Sequence, residues 1–411
     1  MITRVCEYCK ANRASITYML LAIILFIGLF YRIIFALDIK YTNQYRGTQY
    51  TYDEFKYLEM IDKLLTSGNY GHSAEHDAYV TPGYPMFLAA VMGIFGTGSN
   101  GVLAVKLIQA LLSVASSGLV FLLCAKLLES RGAGLVAAAL ISFYPPLILI
   151  SRYLLTETLY IFLIILYFYV QNHALERNKK MLYIAAGALF ALSVLVRPMI
   201  VVLLPLPYIY VYVSRKDRAE RLLIIRGFSL FVLAFVLVML PWWIRNIITL
   251  NQFIPLATQG NPFYAGIVRD FTALAHPENE YVDGLKLFFD ELTSKPLQTI
   301  YWFTFGKLEI LFKAPFYYLP PEHSYPTYLI IPMHIYIVVF GSLGLLAGIF
   351  IKKLRMISLY LLLYIMLSLL FIPTRRFGLQ YMPFFAVFSN VVYFYIKSNR
   401  KKKLRKKSIL R

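Results

Sequence analysis

The feature that most constrains this chain is a series of apolar runs too long and too numerous for a soluble core. Clear runs lie at 15–37, 101–125, 133–150, 154–172, 227–245, 327–350, 356–373 and 379–396. A helix needs about 17–25 apolar residues to cross a bilayer. Lipid offers no partner to backbone N–H and C=O groups, so each run must satisfy them internally, as a helix. The expected class is therefore an all-α polytopic membrane protein. Composition agrees, with 59% hydrophobic and 15% charged residues, against roughly 25% charged in a soluble protein. The 16% aromatic content suits a chain with many lipid–water boundaries, where Tyr and Trp gather.

The formal net charge is +20. The basic residues lie in short clusters between apolar runs, which is the positive-inside pattern and argues against a nucleic-acid partner. The tail KSNRKKKLRKKSILR (397–411) reads as a cytoplasmic anchor to anionic headgroups. Cys6 and Cys9 form a lone CxxC without the second ligand pair of a structural zinc site, and read as reduced cytosolic thiols. The run 15–37 exceeds a signal-peptide core and lacks a small-residue cleavage site, so it reads as a retained span.

Charge also settles the span count. The clusters at Arg4/Lys10/Arg13, Lys126/Arg131, Arg177/Lys179/Lys180, Arg215 to Arg226, Lys352/Lys353/Arg355 and the tail should share the cytoplasmic side. They do so only if the short apolar stretch 84–96 does not cross and the stretch 182–213 crosses twice, turning at Arg197–Pro198. The expectation is ten spans with both termini cytoplasmic. It divides the chain into a seven-span module (1–245, with an outer loop at 38–100), a second outer loop with interfacial helices (246–326), three further spans (327–396) and the basic tail (397–411). The stretch 84–96 becomes a juxtamembrane or re-entrant helix.

The first outer loop contains TYDEFKYLEMIDKLLTSGNY (51–70). Thr51 and Glu54 have the spacing of a capping box, and Gly68 supplies a stop. Phe55, Leu58, Ile61, Leu64 and Leu65 fall on one helical face, and Lys56, Glu59 and Lys63 on another. Asp53 and Glu54 sit in the first turn, where acids are favoured by the helix dipole. The pair reads either as helix-start acids or as site residues. Arginine occurs repeatedly near the outer boundary, at Arg197, in PWWIRN (241–246) as Arg245, and at Arg375 and Arg376. Each can be an interfacial anchor. Several near acidic groups also suit an anionic lipid headgroup, because guanidinium binds phosphate bidentately. GHSAEHD (71–77) offers His72 and His76, which would present both rings on one face of a helix, or else form a solvated polar loop.

These motifs, in this order, resemble the GT-C class of integral-membrane glycosyltransferases. They are most similar to bacterial relatives of protein O-mannosyltransferases and of the lipid A aminoarabinose transferase. The resemblance rests on Asp53-Glu54 after the first span, TPGYPMFLAAVMGIFG (81–96), YPPLILISRYLLTETLYIFL (144–163), Arg197-Pro198, PWWIRN, FIPLATQGNPFYAGI (253–267) and RRFGLQYMPFF (375–385). It implies an enzyme that takes a sugar from a polyprenyl-phosphate donor, on the outer face of the cytoplasmic membrane, and passes it with inversion to a hydroxyl of a glycan, lipid or protein. Asp53 matches the family's first-loop acid and is implied as general base, with Glu54 beside it. The outer arginines, Arg375 or Arg376 before Arg245 and Arg197, would stabilise the leaving phosphate. Some relatives use a divalent metal near the first-loop acid, for which His72 and His76 are the candidate ligands.

Other classes predict different patterns. A lipid or polysaccharide transporter would carry charge in mid-membrane spans and show pseudo-repeats, and no internal repeat is visible. A ligase or polymerase using a polyprenyl-diphosphate carrier is the nearer alternative, and the DE pair favours the monosaccharide transferase.

Overall fold

The structure is a computed structural model that describes residues 13–37, 51–72, 74–269, 280–316 and 327–391. Those residues form helices and connecting loops, with no strand among them. In chain order come α1 (Arg13–Leu37), α2 (Tyr52–Ser67), α3 (Gly83–Phe95), α4 (Ser99–Leu127), α5 (Arg131–Ser142) and α6 (Pro145–Ile150). They are followed by α7 (Thr156–Arg177), α8 (Lys180–Val196), a 3-10 turn at Pro198–Leu203, α9 (Leu206–Ser214) and α10 (Arg218–Leu250). Beyond these lie α11 (Glu280–Ser294), α12 (Thr327–Phe350), α13 (Arg355–Ser368) and α14 (Met382–Phe388).

Among the described residues, five helices are long and apolar enough to cross a bilayer: α1, α4, α7, α10 and α12. The chain is a multi-pass membrane protein. Helix α3 has 13 residues, about 20 Å of helix against a hydrocarbon core of about 30 Å, so it cannot cross unaided. The expected span 133–150 is not one helix. Pro145 and Pro146 lack N–H donors and bias the residue before them away from helix, so the chain breaks at Phe143–Tyr144 between α5 and α6. Arg32 of α1 is wholly buried at this break. Its guanidinium donates to the Ser142 and Ile141 carbonyls at 2.8 and 3.4 Å and to Ser113 Oγ at 2.8 Å. A cation there satisfies the open C-terminal carbonyls of α5 where the helix dipole favours it. The stretch 182–213 does part at Arg197–Pro198, and α10 runs to Leu250, past the expected end at 245. Residues 392–396 of the last expected span lie outside the described residues, as do the Cys6–Cys9 pair and the basic tail.

Helix α4 is the hub, packing on α1, α3, α5, α7 and α14, while α8 lies between α7 and α10. Two glycines permit backbone-to-backbone contact: a Cβ on Gly187 would collide with the Phe231 carbonyl of α10, and one on Gly344 of α12 with the Phe388 carbonyl of α14. Small residues at such crossings let membrane helices approach closely.

The segment that opens the first loop folds as its sequence dictates at both ends. Thr51 Oγ1 accepts from the Glu54 N–H at 3.3 Å and Glu54 Oε2 accepts from the Thr51 N–H at 2.9 Å, which is the capping box. Gly68 ends α2 in the left-handed region at φ 74°. Its buried face differs from the expected one. Glu54, Lys56, Tyr57, Met60 and Ile61 are buried, whereas Phe55 and Leu65 are exposed. Tyr57 sets the rotation by meeting Tyr84 of α3 edge-on with ring centres 5.0 Å apart, and Glu54 is drawn inward by the Leu154 N–H at 2.9 Å.

Candidate active site

Four chain segments converge on one cluster of charge. Helix α2 delivers Asp53 in its first turn. The start of α7 delivers Thr156 and Glu157. Arg197 stands where α8 stops because Pro198 follows. The turn after α13 delivers Arg376 and Gln380, and that turn is capped by Thr374, whose side chain accepts from the Phe377 N–H.

Arg376 Nη1 lies 2.8 Å from Asp53 Oδ2, and Arg376 Nε lies 2.9 Å from Glu157 Oε1. Arg197 Nη2 reaches the same Glu157 oxygen at 2.5 Å. The Arg197 guanidinium also donates to Thr156 Oγ1 at 3.0 and 3.1 Å and to Gln380 Oε1 at 3.2 Å. Lys56 Nζ lies 3.3 Å from Asp53 Oδ1. Asp53 and Arg376 open onto a cavity of about 250 Å³, whose wall includes Tyr52, Tyr153, Leu155 and Phe316. Glu157 lies behind them with its side chain 1% exposed.

The electrostatics follow from this placement. Burial pushes the Asp53 carboxyl up, but the Arg376 and Lys56 charges pull it down and prevail, so it sits below the usual carboxylate range. Burial likewise opposes the Arg376 charge, and Glu157 and Asp53 more than offset it, holding the guanidinium protonated. The cavity wall thus presents an ionised carboxylate and a permanent cation side by side. That arrangement can accept a proton from a hydroxyl and hold an anionic leaving group.

The other candidate residues lie elsewhere. Glu54 is adjacent in sequence but turned inward, with its oxygens on the Thr51 and Leu154 N–H groups. Arg375 is exposed and makes no hydrogen bond or ion pair among the described residues. Arg245 donates to the Tyr70 and Asp77 carbonyls at 2.6 and 2.8 Å. Its neighbours Trp242, Trp243 and Asn246 donate to the Leu256, Pro255 and Ile254 carbonyls. PWWIRN therefore ties the loop after α2 and the segment after α10 to one helix end, apart from the Asp53 cluster. His72 and His76 do not share a helical face, because the described residues 71, 72 and 74–77 are not helical. Asp77 accepts instead from the N–H groups of His72, Ala74 and Tyr79, which turns the segment back on itself. Burial, aided by the Lys56 charge, holds the His72 imidazole below its usual value.

Sequence reasoning missed Glu157, Lys56, Thr156 and Gln380 as cluster members. Glu157 carried a usable signal, since an acid inside an apolar run is a functional candidate by default. Lys56 carried one too, since it follows Asp53 by three residues on the same helix, the spacing of an ion pair, although periodicity assigned it to the polar face.

The described residues show no preformed metal site. Both Asp53 oxygens are engaged by cations, and no group of three His, Cys, Asp or Glu side chains with metal-binding geometry occurs among the described residues.

Residues 79–244 match the family of dolichyl-phosphate-mannose-protein mannosyltransferases. No curated protein sequence matches the chain. Among solved structures, the chain is similar to the archaeal oligosaccharyltransferase AglB from Archaeoglobus fulgidus in complex with an inhibitory peptide and a dolichol-phosphate. The TM-score is 0.59 at 14% identity, over 96% of this chain and 52% of that one. A structure of the Archaeoglobus fulgidus oligosaccharyltransferase in complex with Zn and sulfate gives 0.55 at 14% identity, over 95% and 51%. ArnT from Cupriavidus metallidurans bound to undecaprenyl phosphate gives 0.44 at 12% identity, over 91% and 77%. The chain thus spans about half the length of the archaeal enzyme it matches.

Proposed function

The chain has the GT-C fold of integral-membrane glycosyltransferases, and from that premise we propose that it moves a single sugar, a hexose or pentose, from a polyprenyl-phosphate donor to an acceptor hydroxyl. The observation that carries this reading is the pairing of Asp53 and Arg376, 2.8 Å apart, on the wall of one small cavity.

In this mechanism Asp53 accepts the acceptor's hydroxyl proton as the oxygen attacks the anomeric carbon. The bond from that carbon to the phosphate oxygen breaks, and the electron pair leaves with the lipid phosphate. Arg376 stabilises that anion, so no general acid is needed. A single displacement inverts the anomeric centre. Arg197, through Glu157 and Gln380, braces the cluster from behind. Arg375 is exposed and available to a headgroup, and Arg245 holds the loop after α2 through the Tyr70 and Asp77 carbonyls, apart from the cavity. Glu54 fixes the start of α2, which fixes Asp53. The reaction is assigned to the outer face of the cytoplasmic membrane, with ten spans, both termini cytoplasmic, and the seven-span module 1–245 followed by the loop 246–326, the spans of 327–396 and the tail. The acceptor is a glycan, lipid or protein hydroxyl.

The test is Asp53→Asn. The purified variant and wild type are given polyprenyl-phosphate sugars and an envelope acceptor extract, and sugar release is followed. The expected loss is at least about 100-fold, the scale of a missing general base, with folding unchanged. Undiminished transfer by the Asn protein would overturn the base assignment.

A further inference from the structure

Among the described residues, Arg376 is the side chain that touches both carboxylates of the cluster, and its two edges are held differently. Nε sits on Glu157 Oε1 at 2.9 Å, in a fully sheltered position. Nη1 sits on Asp53 Oδ2 at 2.8 Å, on the cavity wall, and the Arg376 side chain is 24% exposed there. Glu157 Oε2 is buried and has no hydrogen-bond partner. Glu157 therefore has unused capacity for a second guanidinium N–H. Asp53 has a second cation, Lys56, to keep it ionised if Arg376 turns away.

Taking the lipid-phosphate donor of the preceding section as given, we propose that Arg376 pivots on Glu157 and exchanges the Asp53 carboxylate for the donor phosphate. Donor binding then unmasks the base, and Glu157 is the positioning residue that makes the exchange possible. A planar guanidinium suits this role because it pairs equally with carboxylate and phosphate through the same fork of N–H groups. Without donor, Asp53 is locked in an ion pair and is a poor proton acceptor. With donor seated, the carboxylate loses its strongest partner and faces the acceptor hydroxyl. The order is donor first, acceptor second. Coupling of this kind is reciprocal: phosphate binding weakens the hold of Asp53 on Arg376 by the same factor as that hold weakens phosphate binding.

The experiment measures binding alone, on the full chain in detergent, with a farnesyl methyl phosphate diester as probe. This probe carries one negative charge and no sugar. Asp53→Asn is expected to tighten binding about tenfold, within the range of coupling inside one ion-pair network. In an Arg376→Gln background the same change has less than about a twofold effect. Arg376→Lys replaces Gln in this comparison if the Gln protein binds too weakly to measure. Glu157→Gln weakens binding although it removes a negative charge, a sign that bulk electrostatics does not produce, and Glu157→Asp recovers part of the loss. Unchanged or weaker binding by Asp53→Asn would overturn the exchange. So would equal tightening with and without Arg376, or Glu157→Asp as poor as Glu157→Gln. No binding of the probe by wild type would overturn the donor reading itself and the exchange with it.

Discussion

Arg376 and Lys307 are both sheltered cations, yet the protein maintains them in opposite ways. Arg376 has carboxylates at 2.8 and 2.9 Å, and these hold its charge against the cost of burial. Lys307 is wholly buried with no carboxylate in ion-pair range among the described residues. Its Nζ donates to the Leu369 carbonyl at 2.6 Å and lies 3.7 Å from the centre of the Phe303 ring. Burial alone pushes its amine down to about 7. A neutral amide oxygen and an aromatic face do not replace a countercharge, so the cheaper course for the folded protein is to release the proton. One cation is built to stay charged next to a reacting centre. The other fastens the one-turn helix Lys307–Phe312 to the end of α13 and needs only a hydrogen bond.

The sharpest way to break this comparison is to replace each cation with an apolar side chain of similar length. Arg376→Met leaves Asp53 and Glu157 short of a partner in a sheltered site. Removing one member of a buried ion pair costs roughly 3–5 kcal/mol, and because Lys56 and Arg197 remain the expected value is about 3 kcal/mol. Thermal unfolding in detergent measures it. A loss no larger than that of Lys307→Met would mean that the cluster is solvated and that its charge compensation is immaterial.

The adjacent acids Asp53 and Glu54 sharpen the same distinction at smaller scale. Glu54 is buried and accepts two backbone N–H bonds, one from Thr51 and one across the chain from Leu154. Glu54→Gln keeps the shape but leaves only one accepting oxygen for the two N–H groups, so one bond is lost and a donor is set against a donor, at a cost of about 1–3 kcal/mol. The folded fraction should still transfer sugar, whereas Asp53→Asn should remain folded and fail to transfer. A Glu54→Gln protein of full stability and no activity would move Glu54 from the scaffold into the chemistry.

What the sequence disclosed, and what it withheld, follows the range of the interactions involved. The ends of α2 were legible because Thr51, Glu54 and Gly68 act within one turn. The break at Arg197–Pro198 was legible because proline acts on its immediate neighbour. The buried face of α2 was not, since Tyr57 is turned inward by Tyr84 of α3 and Glu54 by the Leu154 N–H, contacts that helical periodicity cannot encode. The first-loop acid and two of the outer arginines, Arg197 and Arg376, were identified as candidates, but only the fold brings Arg376 across 323 positions of the sequence to Asp53. Proline-145 and its neighbour Pro146 could have warned that 133–150 breaks, and the run of apolar residues outweighed them. Glu157 was visible as an acid in an apolar run, but hydropathy averages over a window and one buried acid barely lowers it, so the run outweighed it as well.

Lys307→Met should have the smallest effect, and its pH dependence separates it from Arg376→Met. The folded value near 7 lies below the ordinary lysine value of 10.5. Between those two values the unfolded chain binds a proton that the folded protein does not, so wild-type stability rises with pH across that window. Below about 7 both states hold the proton, and the contribution is constant at its least favourable level. Methionine fills the same space without a group to desolvate. The Lys307→Met protein should therefore match or exceed wild type near pH 6 and lose the rise between about pH 7 and 10. Unfolding midpoints taken across that range, with Arg376→Met as the companion, read both effects in one series. A wild-type curve parallel to that of Lys307→Met would mean that Lys307 keeps its proton when folded. The two sheltered cations would then differ in their partners but not in their charge.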